Sequence, residues 1–257
     1  MKVTLLQMDI ACSDIAQNCN AAAALMAAQP GSDLYVLPEM WSTGFITDPT
    51  FAAEEENQSA ALAWMKEMSH RVDAAIAGSV AIHAEDGSCR NRLYFVKPDG
   101  EVAHYDKRHL FTYAGEQRHY TAGRERVIVA WRGVRFLLQV CYDLRFPCFA
   151  RNRGDYDCAL YVASWPASRM APWHVLLRAR AIENQCYVLG VNRIGNDASC
   201  AYCGGTACID AYGNPLAACA DHEASAITVA LDMSALEAFR KKFPVLGDAD
   251  NASVISW

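Results

Sequence analysis

Glu39, Lys107 and Cys141 each stand at the end of an apolar run. Glu39 follows Leu34-Tyr35-Val36-Leu37-Pro38, Lys107 follows Val102-Ala103-His104-Tyr105-Asp106, and Cys141 follows Phe136-Leu137-Leu138-Gln139-Val140. The three side chains form a chemical set. A cysteine attacks as its thiolate and needs a base to become one. A desolvated carboxylate can take that proton and later hand it to a departing amine. An ammonium beside the attacked carbonyl stabilises the developing oxyanion. The backbone N–H of Tyr142, directly after the cysteine, offers a second donor at the same place. No histidine is required, and the chemistry that fits is hydrolysis of an amide-like bond through a thioester.

Residues so far apart in the chain meet only through the fold. In α/β sheets, ligands bind beyond the carboxyl ends of the strands, so apolar runs that read as strands would deliver all three side chains to one pocket. Strands are expected at residues 3–10, 34–37, 74–82, 93–97, 156–163, 186–192, 206–209 and 226–231. Residues 127–140 should form two more, turning at Arg132-Gly133. Asp86-Gly87 and Asp99-Gly100 are hairpin signals around the strand at 93–97. Helices are expected from Asp14 as cap to Gln29, over 58–72 with Leu62, Met65 and Met68 on one face, over 172–184 opened by Pro172, and after Ser234 as a cap. Residues 105–123 are polar and aromatic without a period. Strands alternating with helices, plus hairpins, predict an α/β fold with a mixed sheet. No linker or repeat interrupts it, so one domain over residues 1–257 is expected.

The words around the three residues carry a resemblance. Leu37-Pro38-Glu39-Met40, Tyr105-Asp106-Lys107-Arg108-His109-Leu110 and Cys141-Tyr142-Asp143-Leu144-Arg145-Phe146-Pro147 resemble, in order, the three catalytic motifs of the nitrilase (carbon–nitrogen hydrolase) superfamily. Arg178-Ala179-Arg180-Ala181-Ile182-Glu183-Asn184-Gln185-Cys186-Tyr187-Val188 resembles that family's helix-to-strand segment, and Gly204-Gly205-Thr206-Ala207-Cys208-Ile209-Asp210 its strand near the C-terminus. The resemblance covers nearly the whole chain. It implies an αββα sandwich, a Glu–Lys–Cys triad, and a homodimer or higher homo-oligomer that extends the sandwich. It also implies a second glutamate bonded to the lysine, a position matched by Glu116.

Within the family, Lys107-Arg108-His109-Leu110-Phe111, the Ala114-Gly115-Glu116 run ending at Tyr120, and Ser164-Trp165-Pro166 look most like the ω-amidases. These hydrolyse 2-oxoglutaramate and 2-oxosuccinamate. The same triad would also serve a nitrilase or an N-carbamoyl amino acid amidohydrolase. Trp165 and Tyr113 are the expected pocket walls. A substrate carboxylate needs a cation or several donors, for which Arg169 and the donors Tyr113, Arg118, His119 and Tyr120 are the candidates. Arg145 is assigned to structuring the turn after the nucleophile. Trp41 stands where many relatives carry a smaller ring, which bears on pocket size.

Composition narrows the partners. The 257 residues are 53% hydrophobic, enough for a large core, and the formal net charge of −6 comes without a basic cluster that would bind nucleic acid. Arg240-Lys241-Lys242 reads as the end of a surface helix. No apolar run approaches the roughly 20 residues of a membrane span, and Asp9 interrupts the first apolar stretch too early for a signal peptide. With 11 scattered cysteines, the chain fits a reducing, cytoplasmic location. The expected partner is a small-molecule amide.

A rival reading is a zinc deaminase. His83-Ala84-Glu85 matches H-x-E, and Cys200 and Cys203 match a paired-ligand spacing. The context fails, because His83 lies beside a hairpin turn and Ser199, not proline, precedes Cys200. A non-catalytic amide-binding module is the other rival, disfavoured by the presence of all three triad residues. Neither metal nor cofactor is expected. Activity should therefore survive dialysis against a strong chelator; loss of activity that zinc restores would contradict this chemistry.

Overall fold

Residues 1–249 are described in the computed structural model. The first strands are β1 (Lys2–Gln7), β2 (Leu34–Val36), β3 (Glu54–Glu55), β4 (Ala75–His83), β5 (Cys89–Val96) and β6 (Val102–Asp106). They are followed by β7 (Ile128–Trp131), β8 (Val134–Val140), β9 (Cys158–Ala163), β10 (Tyr187–Asn192), β11 (Ile194–Asn196) and β12 (Ala201–Cys203). The last are β13 (Ala207–Ile209), β14 (Pro215–Ala218) and β15 (Ser225–Ala230). The α-helices are α1 (Ile15–Ala27), α2 (Ala60–Val72), α3 (Pro147–Ala150), α4 (Met170–Asn184) and α5 (Met233–Lys242). One sheet runs β15-β1-β2-β4-β5-β6 with β3 beside β4, and the other runs β14-β13-β10-β9-β8-β7.

Strand alternation builds the layers. Val3, Leu5, Val36 and Phe95 from the first sheet meet Phe136, Leu138, Val140 and Leu160 from the second. The opposite face of the first sheet, with Leu6, Tyr35 and Ile76, packs on Met26 of α1 and on Met65 and Met68 of α2. The opposite face of the second sheet, with Leu137, Tyr161 and Val188, packs on Trp173, Leu177 and Ala181 of α4. The two sheets thus face each other with helices outside, the αββα sandwich that the resemblance implies. Each such side chain removed from water contributes about 1.5–3 kcal/mol, which fixes the register of every two-faced strand.

Local signals set the helix ends. Asp14 caps α1 by accepting from Gln17 N at 2.9 Å, and Ser59 caps α2 by accepting from Leu62 N at 3.0 Å. Helix α4 begins at Met170, so Pro172 falls within the first turn, where its missing N–H has no acceptor to lose. At the final helix the cap is Asp232, which accepts from Ala235 N at 2.9 Å, and not Ser234, which lies inside the first turn. The hairpin β11–β12 has no counterpart in the sequence expectation. No helix among the described residues is long and apolar enough to cross a membrane.

Strand direction sets where the chemistry gathers. β1, β2 and β4 are parallel in the first sheet, and β8, β9 and β10 in the second. Behind them, α5 is fastened to the second sheet by Asp157, which precedes β9. Its carboxylate accepts from Arg135 Nη2 at 2.7 Å, Arg135 Nε at 2.9 Å and Arg240 Nη1 at 2.8 Å. Partial burial alone would raise the Asp157 pKa, but these donors outweigh it and hold the group below the usual aspartate range. Its contribution is therefore present above the unfolded value of about 3.9 and is lost as pH falls through the lower folded value. Asp157→Asn should lower stability by about 1–3 kcal/mol at neutral pH. Urea unfolding at neutral and acid pH checks this: the variant's deficit should shrink on acidification, and a variant as stable as the parent at neutral pH would refute it.

Candidate active site

Each triad residue leaves the end of a strand toward the same point. Glu39 lies three residues beyond β2, on a turn where Leu37 N donates to Ala77 O at 2.7 Å and Met40 N donates to Ser79 Oγ at 2.9 Å. Lys107 directly follows β6, its own N–H donating to Asn91 O at 2.9 Å. Cys141 directly follows β8 and opens a turn of 3-10 helix.

The three charged groups are fully buried together. Lys107 Nζ donates to Glu39 Oε1 at 2.8 Å and to Glu116 at 2.9 and 3.1 Å. Asn91 Nδ2, on β5, donates to Glu39 Oε1 at 2.7 Å and to Glu116 Oε1 at 3.2 Å. Ser164 N donates to Glu39 Oε2 at 2.8 Å, and Phe111 N to Glu116 Oε2 at 2.5 Å. Burial would lower the Lys107 pKa, but Glu116 and then Glu39 reverse this and hold it well above the ordinary lysine value. The lysine is an ammonium throughout the neutral range. For Cys141 the balance falls the other way. Burial, then the Glu39 charge, push the thiol well above its ordinary value, with Lys107 pulling only partly back. The resting group is a neutral thiol beside a carboxylate.

The nucleophile sits on a strained turn. Cys141 has φ of 45°, and Met40, beside Glu39, has φ of 43°, both in the left-handed region that non-glycine residues avoid. The strain at Cys141 is held by Asp143, whose carboxylate accepts from Val140 N at 2.9 Å, Tyr105 OH at 2.8 Å and His109 N at 2.9 Å. One buried carboxylate thus ties the cysteine turn to the segments on both sides of Lys107. Arg180 of α4 donates to Leu144 O at 2.6 Å and fastens the far side of the turn.

Cys141 and Lys107 face a cavity of about 650 Å³, while Glu39 and Glu116 lie behind them. The expected pocket walls Trp165 and Tyr113 line it, as do Tyr142, expected to supply an oxyanion donor, and Arg169, a candidate for the substrate carboxylate. Arg118, His119 and Tyr120 do not; Tyr120 is buried and bridges to Cys89. Arg145 corrects the sequence reading. It lines the cavity, its guanidinium 4.9 Å from the Trp165 ring centre, and the role of bracing the turn belongs to Arg180. Arg169 lies over Phe111 and Tyr113, at 5.4 and 5.8 Å. Neither guanidinium pairs with a carboxylate among the described residues. Asp197 also lines the cavity, but its carboxylate accepts from Ser199 N at 2.7 Å, Cys200 N at 2.9 Å and Tyr202 OH at 2.5 Å. Trp41 does not narrow the cavity: it is fully buried against Trp64, in space left by Gly78, where a Cβ would lie 2.9 Å from the indole.

The metal-ligand pattern does not assemble. Cys200 lines the cavity, Cys203 ends β12, and His83 contacts Cys89 at 3.1 Å; no group of three or more such ligands converges among the described residues. Asn91, Asp143 and Ser164 are the site residues that sequence reading missed. Asn91 carried no local signal, because it stands between Arg90 and Arg92 ahead of the apolar part of β5.

Fold and site define a class, and the comparisons agree with it. The carbon–nitrogen hydrolase family model matches residues 2–241. The chain belongs to this family, within the nitrilase superfamily, and is a hydrolase acting on carbon–nitrogen bonds. It is similar to omega-amidase YafV of Escherichia coli, with 47% identity over 97% of each chain. It is 30% identical to 2-oxoglutaramate amidase of Bacillus subtilis over 96% of each chain. A CN-hydrolase superfamily protein from Xanthomonas campestris, whose crystal structure carries an arsenic adduct in the active site, superposes with a TM-score of 0.94 at 41% identity, covering 98% of this chain and 97% of that one.

Proposed function

We propose that this chain is an ω-amidase. It cleaves the terminal amide of a short dicarboxylate monoamide, 2-oxoglutaramate or 2-oxosuccinamate, to the acid and ammonia through a Cys141 thioester. The observation that carries the reading is one juxtaposition. Cys141, backed by the buried Glu39–Lys107–Glu116 cluster, faces a cavity whose wall holds Arg145 and Arg169 without carboxylate partners among the described residues. The Escherichia coli relative is named an omega-amidase and the Bacillus subtilis relative a 2-oxoglutaramate amidase, which supports the reading.

The steps follow from the positions. Glu39 takes the Cys141 proton as sulfur bonds to the amide carbon. Lys107 and the Tyr142 N–H hold the oxyanion; that N–H lies in the first turn of a 3-10 helix, where N–H groups lack helical acceptors. The tetrahedral adduct collapses, the carbon–nitrogen bond breaks, and Glu39 passes its proton to the departing nitrogen. Water then attacks the thioester as Glu39 takes a proton from it. The carbon–sulfur bond breaks, the proton returns to sulfur and the acid leaves. Glu116 keeps the Lys107 ammonium aimed and charged. Arg145 and Arg169 receive the remote carboxylate beside the rings of Trp165, Phe111 and Tyr113.

Cys141→Ala should abolish turnover with the fold intact, and mass spectrometry of the parent with substrate should find an acyl adduct on Cys141; an adduct on Cys148 or Cys203 instead would sink the assignment. Replacing whichever arginine binds the carboxylate by methionine should lower kcat/KM for the acid by roughly tenfold or more, as for a charged hydrogen bond. An uncharged amide of equal length should lose much less. Ammonia release from 2-oxoglutaramate, 2-oxosuccinamate, glutamine, an N-carbamoyl amino acid and a simple nitrile at equal concentration decides the substrate. If the nitrile or the carbamoyl compound is clearly preferred, the ω-amidase reading is wrong, while the Glu–Lys–Cys chemistry would stand.

A further inference from the structure

Glu39 has two oxygens, and only one can serve the nucleophile. Oε1 accepts from Lys107 Nζ at 2.8 Å and from Asn91 Nδ2 at 2.7 Å. Oε2 accepts from Ser164 N at 2.8 Å and from no side chain among the described residues. Oε2 is therefore the oxygen with capacity left for a proton. We infer that Asn91 is a positioning residue that saturates Oε1 of Glu39, so that the proton of the reaction is carried on Oε2. The inference rests on Glu39 being the base, as proposed above.

Three features separate this from space filling. Asn91 Nδ2 bridges both glutamates, at 2.7 and 3.2 Å, as Lys107 Nζ does, so two donors share two carboxylates that would otherwise repel. The orientation is forced, because turning the amide over would aim Oδ1 at two carboxylates. Asn91 Oδ1 is buried and finds no partner among the described residues. A buried amide with its acceptor unused is a costly filler, whereas its donor end has two charged acceptors. The main-chain oxygen at position 91 accepts from Lys107 N at 2.9 Å, a bond that variants of the side chain would keep. The other titratable groups around this pair are Lys107, Glu116, Cys141 and Tyr120. Burial first, then Glu116, push the Tyr120 phenol far above its ordinary range, so it is a neutral neighbour.

Withdrawing a donor from a carboxylate favours its protonated form. In the full-length chain, Asn91→Ser has a hydroxyl too short to reach both glutamates. It should fold, and the acid limb of its kcat/KM profile should move up by about one to two pH units. Activity should recover toward the parent above the new limb. Asn91→Asp, of equal size, sets a third carboxylate against the other two and should move the limb further. A limb left in place, with the rate unchanged or lowered equally at every pH, would overturn the inference. So would failure of both variants to fold, which would make Asn91 a determinant of the fold. Glu39→Gln, run in parallel, separates the two claims. If it turns over normally, the base assignment fails; if it is inactive while Asn91→Ser leaves the profile unmoved, only the role of Asn91 falls.

Discussion

The ammonium of Lys107, enclosed by Glu39 and Glu116, is the interaction on which the rest of the site depends. A lone buried charge would carry a penalty of several kcal/mol. Here one cation stands between two anions, and the excess negative charge is spread over donors from Asn91, Ser164 N and Phe111 N. The cluster is stable only when complete, because removing one member leaves another charge buried without a partner. That demand reaches into the fold. The members come from the end of β2, the middle of β5, the end of β6 and the loop after it, and the end of β9. The sandwich has to form correctly for any of them to be solvated by the others.

The same cluster explains why the nucleophile rests as a thiol. Burial first raises the proton affinity of Cys141, and Glu39 raises it further than Lys107 lowers it. The sulfur therefore becomes a thiolate as it bonds to substrate, and the proton has one short path out and back. Strain at Cys141 serves that path. The left-handed backbone turns the side chain off the strand end, and Asp143 and Arg180 hold it there from opposite sides. The carboxylate of Asp143 also binds His109 N, two residues past Lys107, so the turn that aims the nucleophile and the segment that aims the cation are one mechanical unit.

Much of this was legible in the chain because each triad residue ends an apolar run, and a run buried on a sheet shows in sequence. The layers were legible for the same reason. What escaped depended on contacts between distant segments. The role expected of Arg145 belongs to Arg180, since nothing local shows that α4 reaches back to the Leu144 carbonyl while Arg145 turns to Trp165. Whether Trp41 bears on pocket size could not be read locally because its place hinges on Gly78, whose missing side chain opens the core to it. Asp232 and Ser234 are both good caps, and packing selects the earlier one. The β11–β12 hairpin is short and rich in Gly, Asn, Asp and Ser, a composition that reads as loop. Asn91 was hidden because an amide within a strand signals nothing until its two carboxylate partners are in view.

The central claim is that a neutral thiol is activated by a neighbouring carboxylate, and not stored as a thiolate paired with lysine. The most direct measurement is the ultraviolet thiolate absorbance of the free enzyme, taken as the difference between the parent and Cys141→Ser, from about pH 6 to about pH 9, a range that spans the ordinary thiol value. The account predicts a flat difference across that range, with no thiolate step. Thiolate absorbance already present at neutral pH, and lost in Cys141→Ser, would contradict it.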